Sequence, residues 1–244
     1  MSATGSSSPN SPKRGRFRRL RFVAIGLAAL LVLGFAGGYA YLALKDRNAP
    51  PPLALDTSGP SHQGALPDGR WVLKRSDSIV GFRAREKYFS LPVPSEVVGR
   101  TSVVHGTMET RGGAIVATSV VVDMRTLKTD DSRRDETLRS SRGPVWDEHP
   151  YGRFSLGSEP ISLARLSSAS VADVVARGTL RIHDVDRLVD FPLQVQLSGR
   201  RLQVVGRLKT KMTTFGFDPP SVAGLTTVRN GVTIEVKLTF VRSG

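Results

Sequence analysis

The sequence predicts an all-β protein, an antiparallel β-barrel with a short helix between two strands, preceded by one N-terminal transmembrane helix. Three observations support this: apolar residues alternate with polar ones through the C-terminal part, short turns separate these runs, and a long uncharged run follows a basic tail. The predicted parts are a disordered cytoplasmic tail, a transmembrane signal anchor, a Pro/Gly-rich linker and a barrel domain, at 1–21, 22–44, 45–68 and 69–244.

The N-terminal part carries the signals for the membrane. Residues 1–21 hold six Lys or Arg residues and no acid, within a chain of net charge +14, and are rich in Ser and Pro. The next twenty-three residues, Phe22 to Leu44, contain no charge. As a helix they reach roughly 34 Å, enough for a hydrocarbon core of about 30 Å. The cations before this run predict a cytoplasmic N-terminus and an extracytoplasmic barrel.

The membrane segment has one alternative reading. A cleaved export signal usually has an apolar stretch of about 7–15 residues, which is shorter than this run, although Gly38 to Ala40 offers a poor cleavage site. An uncleaved anchor is therefore favoured over a cleaved signal. Residues 45–68 mix prolines with glycines and show no periodicity, which is typical of a linker.

The remaining residues show the period of two that β-strands require. In "VDFPLQVQL" and "VTIEVKLTF" every second residue is apolar, so each predicts a strand with one buried face. Short turns are predicted at 110–113, 198–200 and Asn230–Gly231, and short turns make neighbouring strands antiparallel. The predicted strands lie near 70–76, 79–87, 97–109, 114–125, 152–163, 170–182, 188–198, 201–213, 223–229 and 232–242.

A single antiparallel sheet with one apolar face must close or stack, and sequential hairpins with long strands favour closure into a barrel. The strand 170–182 places Ala172, Ala176 and Gly178 on its inward face. Small inward residues leave volume for a ligand, but they also allow tight packing at bends. The sequence therefore leaves both a hollow and a filled barrel open.

The charged stretch "TDDSRRDETLRSS", from Thr129 to Ser141, predicts one short helix. Ser132 and Asp135 have the spacing of a capping box, and Asp135 and Arg139 have the spacing of a favourable pair one helical turn apart. Leu138 lies on a face that is expected to dock onto a barrel mouth.

Two functional readings of the same stretch are weaker. The carboxylates of Asp130, Asp131 and Asp135 are candidates for acid/base catalysis, which also needs a cleft and perturbed pKa values. The cations are candidates for holding a phosphate, an arrangement equally natural for a solvated face. These cations are Arg133, Arg134 and Arg139.

Several classes of site are not expected. The chain has no cysteine, so it has no disulfide, thiolate metal site or catalytic thiol. The four histidines, at 62, 105, 149 and 183, are scattered without ligand spacing, so no metal is predicted. No phosphate loop, dinucleotide fingerprint or Gly-x-Ser-x-Gly motif occurs, and no cofactor is expected. Aromatic residues are sparse at 7%, which argues against nucleic acid as a partner.

The residues from Trp71 to Val241 resemble the YceI-like family, the polyisoprenoid-binding, lipocalin-like barrel proteins of bacteria. Five separated motifs carry the likeness: "SDSIVGF", "TLKTDDSRRDETLRS", "HPYGRF", "GTLRIHDVDRLVDFPL" and "TTFGF". The Arg-Asp…Leu-Arg-Ser element in the second is the most specific. One departure is Asp184, which stands where the family usually has a hairpin glycine.

The resemblance implies an elongated barrel that encloses a long isoprenoid chain, with binding and not catalysis as its activity. Arg134 and Arg139 are then candidates for contacting a polar headgroup at the mouth. The candidate wall residues are Phe82, Phe154, Leu180, Ile182, Phe191 and Phe215. Two alternatives remain: a filled barrel that binds a protein partner in the envelope, and a hydrolase acting on a lipid phosphate through Asp130, Asp131 or Asp135.

Overall fold

The computed structural model describes residues 30–41, 49–56, 66–88, 91–140, 143–167, 170–222 and 226–243. These form two helices and twelve strands, joined by short 3-10 turns. The helices are α1 (30–41) and α2 (Ser132–Arg139). The strands are β1 (Gly69–Leu73), β2 (Ile79–Tyr88), β3 (Leu91–Thr101), β4 (Val104–Arg111), β5 (Ala114–Asp123), β6 (Tyr151–Leu156), β7 (Ile161–Ser162), β8 (Val171–Ile182), β9 (Val185–Ser198), β10 (Arg201–Lys211), β11 (Ser221–Val222) and β12 (Thr226–Arg242).

Eight of the strands close into an antiparallel barrel. The order around the ring is β1, β4, β5, β6, β8, β9, β10 and β12, and the ring closes where Leu73 of β1 pairs with Phe240 of β12. The long β12 also pairs with β2 from Thr226 to Lys237, and β2 pairs with β3. The predicted all-β antiparallel barrel with one short helix between strands is therefore confirmed.

The two ends of the barrel differ. At the end formed by β1 and β4, which we call the far end, the ring of strands is complete. At the other end, called the mouth, β2 and β3 take the places of β1 and β4, and β3 meets the next segment through a single bridge between Arg100 and Lys128. The helix α2 and residues 143–150 come between β5 and β6, so they cover this less regular end.

Alternation along the strands places the apolar residues inside. Ala172, Ala176, Leu180 and Ile182 of β8 are all buried, as predicted. One core cluster fills the far end around Trp71, whose indole N–H donates to the hydroxyl of Thr110 over 2.9 Å. A second cluster at the mouth contains Leu180 and Ile182 together with Trp146 and Phe215.

The predicted hairpin at Asn230–Gly231 is wrong. Both residues lie inside the continuous strand β12, where Gly231 pairs with Lys211. The side chain of Asn230 instead brackets Thr213: it accepts from the Thr213 backbone N–H over 3.1 Å and donates to the Thr213 hydroxyl over 2.9 Å. In place of a turn, the register of β12 against β2 shifts between Val228 and Val232.

Two other predicted turns are confirmed, and two predicted strands are divided, of which 152–163 becomes β6 and β7. The β4–β5 hairpin turns at Gly112 and Gly113, with φ of 58° and 75°, and the β9–β10 hairpin turns at Gly199. The predicted strand 97–109 is split into β3 and β4 after Thr101. The hydroxyl of Thr101 accepts from the backbone N–H of Val103 over 2.9 Å, which diverts the chain there.

Residues 49–56, inside the predicted linker, lie against the outer face of the barrel, and we call them the strap. Leu53 is buried, and the carbonyl of Pro50 accepts from Arg83 of β2. Asp56 bonds with Gln203 of β10, and it accepts from Lys237 of β12 over 2.5 Å. The strap therefore crosses the outer wall formed by β2, β12 and β10.

The predicted transmembrane segment overlaps the described residues only in part. Helix α1 covers 30–41, whereas 22–29, 42–44 and the basic tail 1–21 lie outside the described residues. Within the part of the chain that is described, no helix combines the length and the apolar character needed to cross a bilayer.

Candidate functional site

Within the described residues, three apolar cavities lie in a row in the barrel interior, followed by a polar pocket at the mouth. The distal cavity, nearest the far end, has about 70 Å³, the middle cavity about 90 Å³ and the upper cavity about 70 Å³. The mouth pocket has about 570 Å³ and mixes apolar with charged residues. Each apolar cavity has room for several groups the size of a methylene.

Shared wall residues join the cavities end to end. Phe154 and Phe191, whose ring centroids are 6.3 Å apart and nearly perpendicular, line both the distal and the middle cavity. Ile182 and Ile234 line both the middle and the upper cavity. Leu138 lines both the upper cavity and the mouth pocket. Neighbouring compartments share these side chains, so movement of the side chains is the expected way to merge the compartments into one channel.

Three inward-facing glycines leave space for the aromatic rings that line this interior. A Cβ on Gly178 would lie 2.7 Å from the ring of Phe154, and a Cβ on Gly99 would lie 2.3 Å from the ring of Phe82. A Cβ on Gly206 would lie 2.9 Å from the ring of Phe191. Much of the volume freed by small inward residues is therefore filled by aromatic rings, and the barrel lies between the hollow and filled extremes.

The structure brings the six predicted wall residues into this interior. Phe154 and Phe191 lie at the distal partition, Leu180 lines the middle cavity, and Phe215 lines the upper cavity. Ile182 lines the middle and upper cavities, and Phe82 lines these two and the mouth pocket. Their role in binding a ligand stays a prediction.

The mouth pocket contains a nearly buried ion pair. Arg134 of α2 donates from Nε and Nη2 to the two carboxylate oxygens of Glu86, over 2.9 and 3.1 Å, and from Nη1 to Asp130 over 2.7 Å. The side chains of Arg134 and Glu86 are only 14% and 7% exposed. Burial disfavours the cation, but the Glu86 and Asp130 carboxylates together outweigh that cost and raise the pKa of Arg134 above its ordinary value.

The two predicted headgroup arginines therefore differ. Arg134 lines the mouth pocket, with its charge already matched by carboxylates. Arg139 ends α2 and lies outside the described walls of the four cavities.

The aspartates of this stretch hold the local fold. The helix cap is Asp131, whose carboxylate accepts from the backbone N–H of Arg133 over 2.9 Å, so the predicted capping box of Ser132 and Asp135 is wrong. Asp135 is buried and accepts from the backbone N–H and the hydroxyl of Thr129, both over 2.8 Å. These hydrogen bonds from Thr129 take the place of the expected contact between Asp135 and Arg139.

The environment of Asp131 also bears on catalysis. Burial opposes its ionisation, but the hydrogen bond from the Arg133 backbone and the nearby guanidinium groups outweigh that effect and hold the pKa of Asp131 below its ordinary value. A general acid at neutral pH needs the opposite shift. This geometry suits a helix cap better than proton transfer.

Two histidines that are distant in sequence meet beside the upper cavity. The rings of His149 and His183 have centroids 3.9 Å apart, and His149 Nδ1 is 2.5 Å from a carboxylate oxygen of Asp184. Asp184 forms the β8–β9 turn with His183, and both adopt positive φ values, 57° and 52°. The described residues contain no group of three or more His, Asp or Glu side chains arranged to hold a metal.

Sequence reasoning missed several wall residues. Glu86 follows Phe82 and Ala84 at intervals of two on β2, so strict alternation would have placed this charged residue inside. Ile234 and Val236 share the apolar face of β12 by the same rule. Trp146 and Phe217, which pack edge to face at 5.7 Å, lie on loops where no periodicity guides a prediction.

Comparisons with known proteins agree with this architecture. The model of the YceI-like domain family matches residues 71–240. A polyisoprenoid binding domain from Saccharophagus degradans, implicated in plant cell wall breakdown, is 20% identical with a TM-score of 0.55, covering 71% of this chain and 98% of that one. BcnA of Burkholderia cenocepacia is 16% identical with a TM-score of 0.52, covering 68% of this chain and 98% of that one. No curated protein matches the sequence.

Proposed function

The chain belongs to the YceI-like domain family, and from this premise we propose that it binds one long apolar chain, of the polyisoprenoid type, inside its barrel. The observation that carries the proposal is the row of three apolar cavities that share their walls and lead to a polar mouth. The related fold of a domain described as polyisoprenoid binding supports the same ligand class. Each buried methylene would contribute about 0.8 kcal/mol to binding.

The cavities are smaller than a long chain, so binding requires the partitions to move. Phe154 and Phe191 meet at the distal partition, and the upper partition contains Phe82, Met124, Ile182 and Ile234. If these side chains rotate, they lose contacts with one another and gain contacts with the ligand. Ligand binding would then fill the present cavities and open the interior from the mouth towards the far end.

The mouth suits a polar head without a strong negative charge. Its described wall contains the carboxylates of Glu86, Asp131 and Glu136, against the guanidinium groups of Arg133 and Arg134. Because Arg134 is already paired with Glu86, a phosphate would have to compete with a bidentate carboxylate. A ligand hydroxyl can instead donate to the hydroxyl oxygen of Thr137 or Ser140, which also line the pocket and whose own protons go to the backbone carbonyls of Arg133 and Thr137.

Binding is favoured over hydrolysis of a lipid phosphate. In a hydrolase Asp130, Asp131 or Asp135 would have to transfer protons or attack the substrate. In this protein the three carboxylates contact Arg134, the first turn of α2 and Thr129, respectively.

The proposal includes a membrane tether and an extracytoplasmic barrel. Its support is the uncharged run Phe22–Leu44 behind six cations, which favours a cytoplasmic tail and export of the domain. A reporter enzyme that is active only outside the cytoplasm, fused after Gly244, should be active and should sediment with membranes. An inactive reporter in a stable fusion would contradict the proposed location, and an active reporter in the soluble fraction would indicate cleavage.

Mass spectrometry of lipids that co-purify with the chain tests the bound ligand. We expect a stoichiometric long-chain lipid in the unmodified protein and its loss in Ala176→Phe, because Ala176 lines the distal cavity. Val175→Phe, on the exposed face of the same strand, is the matched control and should retain the lipid. Folded protein that repeatedly carries no stoichiometric lipid would overturn the proposal.

A further inference from the structure

The outer wall of the barrel at the mouth carries a cluster of exposed cations. These residues lie on three adjacent strands, β10, β12 and β2, and they point away from the interior because they alternate with inward residues. We call the cluster the basic wall, and it consists of Lys209 and Lys211 of β10, Arg229 of β12, and Arg85 and Lys87 of β2.

The register of the strands brings these cations together. Lys211 is opposite Gly231 on β12, only two positions from Arg229. Lys87 is opposite Thr227 on the other side of the same strand. Because paired strands lie about 4.8 Å apart, the five cations share one small area. Mutual repulsion there costs stability unless an anionic partner offsets it.

The neighbouring wall, formed by β8 and β9 next to β10, is built differently. On β8 and β9, Arg177 pairs with Asp190 over 2.8 Å, and Arg181 pairs with Asp186 over 2.7 Å. These cross-strand pairs neutralise the charge of that wall. Among the described residues, no carboxylate lies within 4.0 Å of the side-chain nitrogens of the basic wall. The charge of the barrel exterior is therefore asymmetric.

The strap lies on the side of the barrel that carries the basic wall. It contacts Arg83, two positions before Arg85 on β2, and Lys237, which is on the same strand as Arg229. The chain that leads from the N-terminal segment therefore reaches the barrel on this side. The inner face of the same strands lines the mouth, through Ala84 and Val228.

We propose that the basic wall docks the barrel onto an anionic lipid surface, so that the mouth pocket is presented to the membrane. Charge complementarity requires an anionic occupant, and the path of the strap, which follows the uncharged N-terminal run, favours a membrane over an acidic protein. Each cation near an anionic surface strengthens docking about fivefold, so five cations suffice for stable but reversible attachment. The docking does not depend on which lipid the barrel encloses.

The test uses the full chain, whose lack of cysteine makes any introduced thiol unique. A fluorophore is attached at Thr227→Cys, beside the basic wall, or at Ser155→Cys, on the exposed face of β6 across the barrel. The labelled chains are reconstituted in nanodiscs with a nitroxide on the lipid head group, in anionic or purely zwitterionic lipid. We expect stronger quenching at 227 than at 155 in anionic discs, and loss of this difference in zwitterionic discs or at high salt.

A charge variant separates docking from simple proximity. Removing two cations with Lys209→Gln and Lys211→Gln should lower the ratio of docked to undocked barrel about 25-fold. Arg153→Gln with Arg200→Gln removes the same charge elsewhere on the barrel and should leave the ratio unchanged. Three results would each overturn the proposal. These are equal quenching at both labels in anionic discs, no quenching at either label, and quenching that persists after loss of Lys209 and Lys211. The lipid content measured by mass spectrometry would be unaffected by any of these results.

Discussion

Gly178 faces the ring of Phe154 across two paired strands, and this single position shows how the interior is shaped. The missing side chain leaves space that the ring occupies, since a Cβ there would lie 2.3 Å from the carbonyl oxygen of Ser155. Sequence alternation correctly predicts that Gly178 faces inward. It gives no information on which neighbour fills the space, because that depends on the register of β6 against β8.

Substitution of Gly178 by Ala should therefore destabilise the barrel. The added methyl group would push against backbone and ring, and overpacking of this kind costs about 1–3 kcal/mol in the free energy of unfolding. Denaturant unfolding measures this loss. Gly231→Ala is the matched control, because a Cβ at Gly231 meets no atom within 4 Å, and its effect should stay within about 0.5 kcal/mol. Equal losses in the two variants would contradict the seating role of Gly178.

His183 links stability to pH. Burial and the neighbouring His149 lower the pKa of His183 below its ordinary value of 6.5. The unfolded chain then binds this proton more readily than the folded chain. The stabilising contribution is present in full above pH 6.5 and is lost as the pH falls from there to the folded pKa.

Replacement of His183 by Asn should flatten this pH dependence, since Asn tolerates the positive φ at this turn. Unfolding free energies measured at pH 7 and pH 5.5 should differ less in His183→Asn than in the unmodified chain. The exposed His105 provides the control, and His105→Asn should keep the original slope. An unchanged slope in His183→Asn would assign the effect to other groups.

At the scale of elements, alternation and turn residues predict most of the strands, and the failures have local causes. The Asn230–Gly231 dipeptide has the residues of a hairpin turn, but Thr213 captures the Asn230 side chain and β12 continues. The helix was expected from charge spacing, yet its cap shifted by one residue because Asp131 precedes the first turn and Thr129 takes Asp135. The partner of Asn230 comes from another segment and cannot be read from a single sequence, whereas Thr129 and Asp131 compete with the predicted cap within the same stretch.

The cap of α2 can be tested by itself. Asp131→Ala removes the acceptor for the Arg133 backbone N–H and should lower the unfolding free energy by about 1 kcal/mol. Asp131→Asn keeps a capping oxygen and should retain most of that stability. If the Ala and Asn variants were equally destabilised, the charge of Asp131 and not its capping hydrogen bond would stabilise the helix.

At the scale of the whole molecule, the cavities depend on the closed ring of eight strands. The inward positions predicted from the sequence, such as Phe154 and Phe191, line the cavities because closure turns one apolar face upon itself. The division into three compartments and the pairing of Arg134 with Glu86 were not predictable, since both depend on contacts between distant segments. Family membership motivates the proposed ligand class, and the geometry offers a place for it.

Photocrosslinking with an isoprenoid alcohol that carries a diazirine along its chain tests the central claim most directly. The account predicts that mass spectrometry of the peptides finds crosslinks on inward residues of β6, β9 and β12, including Phe154, Phe191 and Ile234. Unlabelled isoprenoid alcohol should compete these crosslinks away. Crosslinks confined to outward residues such as Val175 and Leu188, which are 55% and 84% exposed, would show that the chain binds outside and would contradict the account.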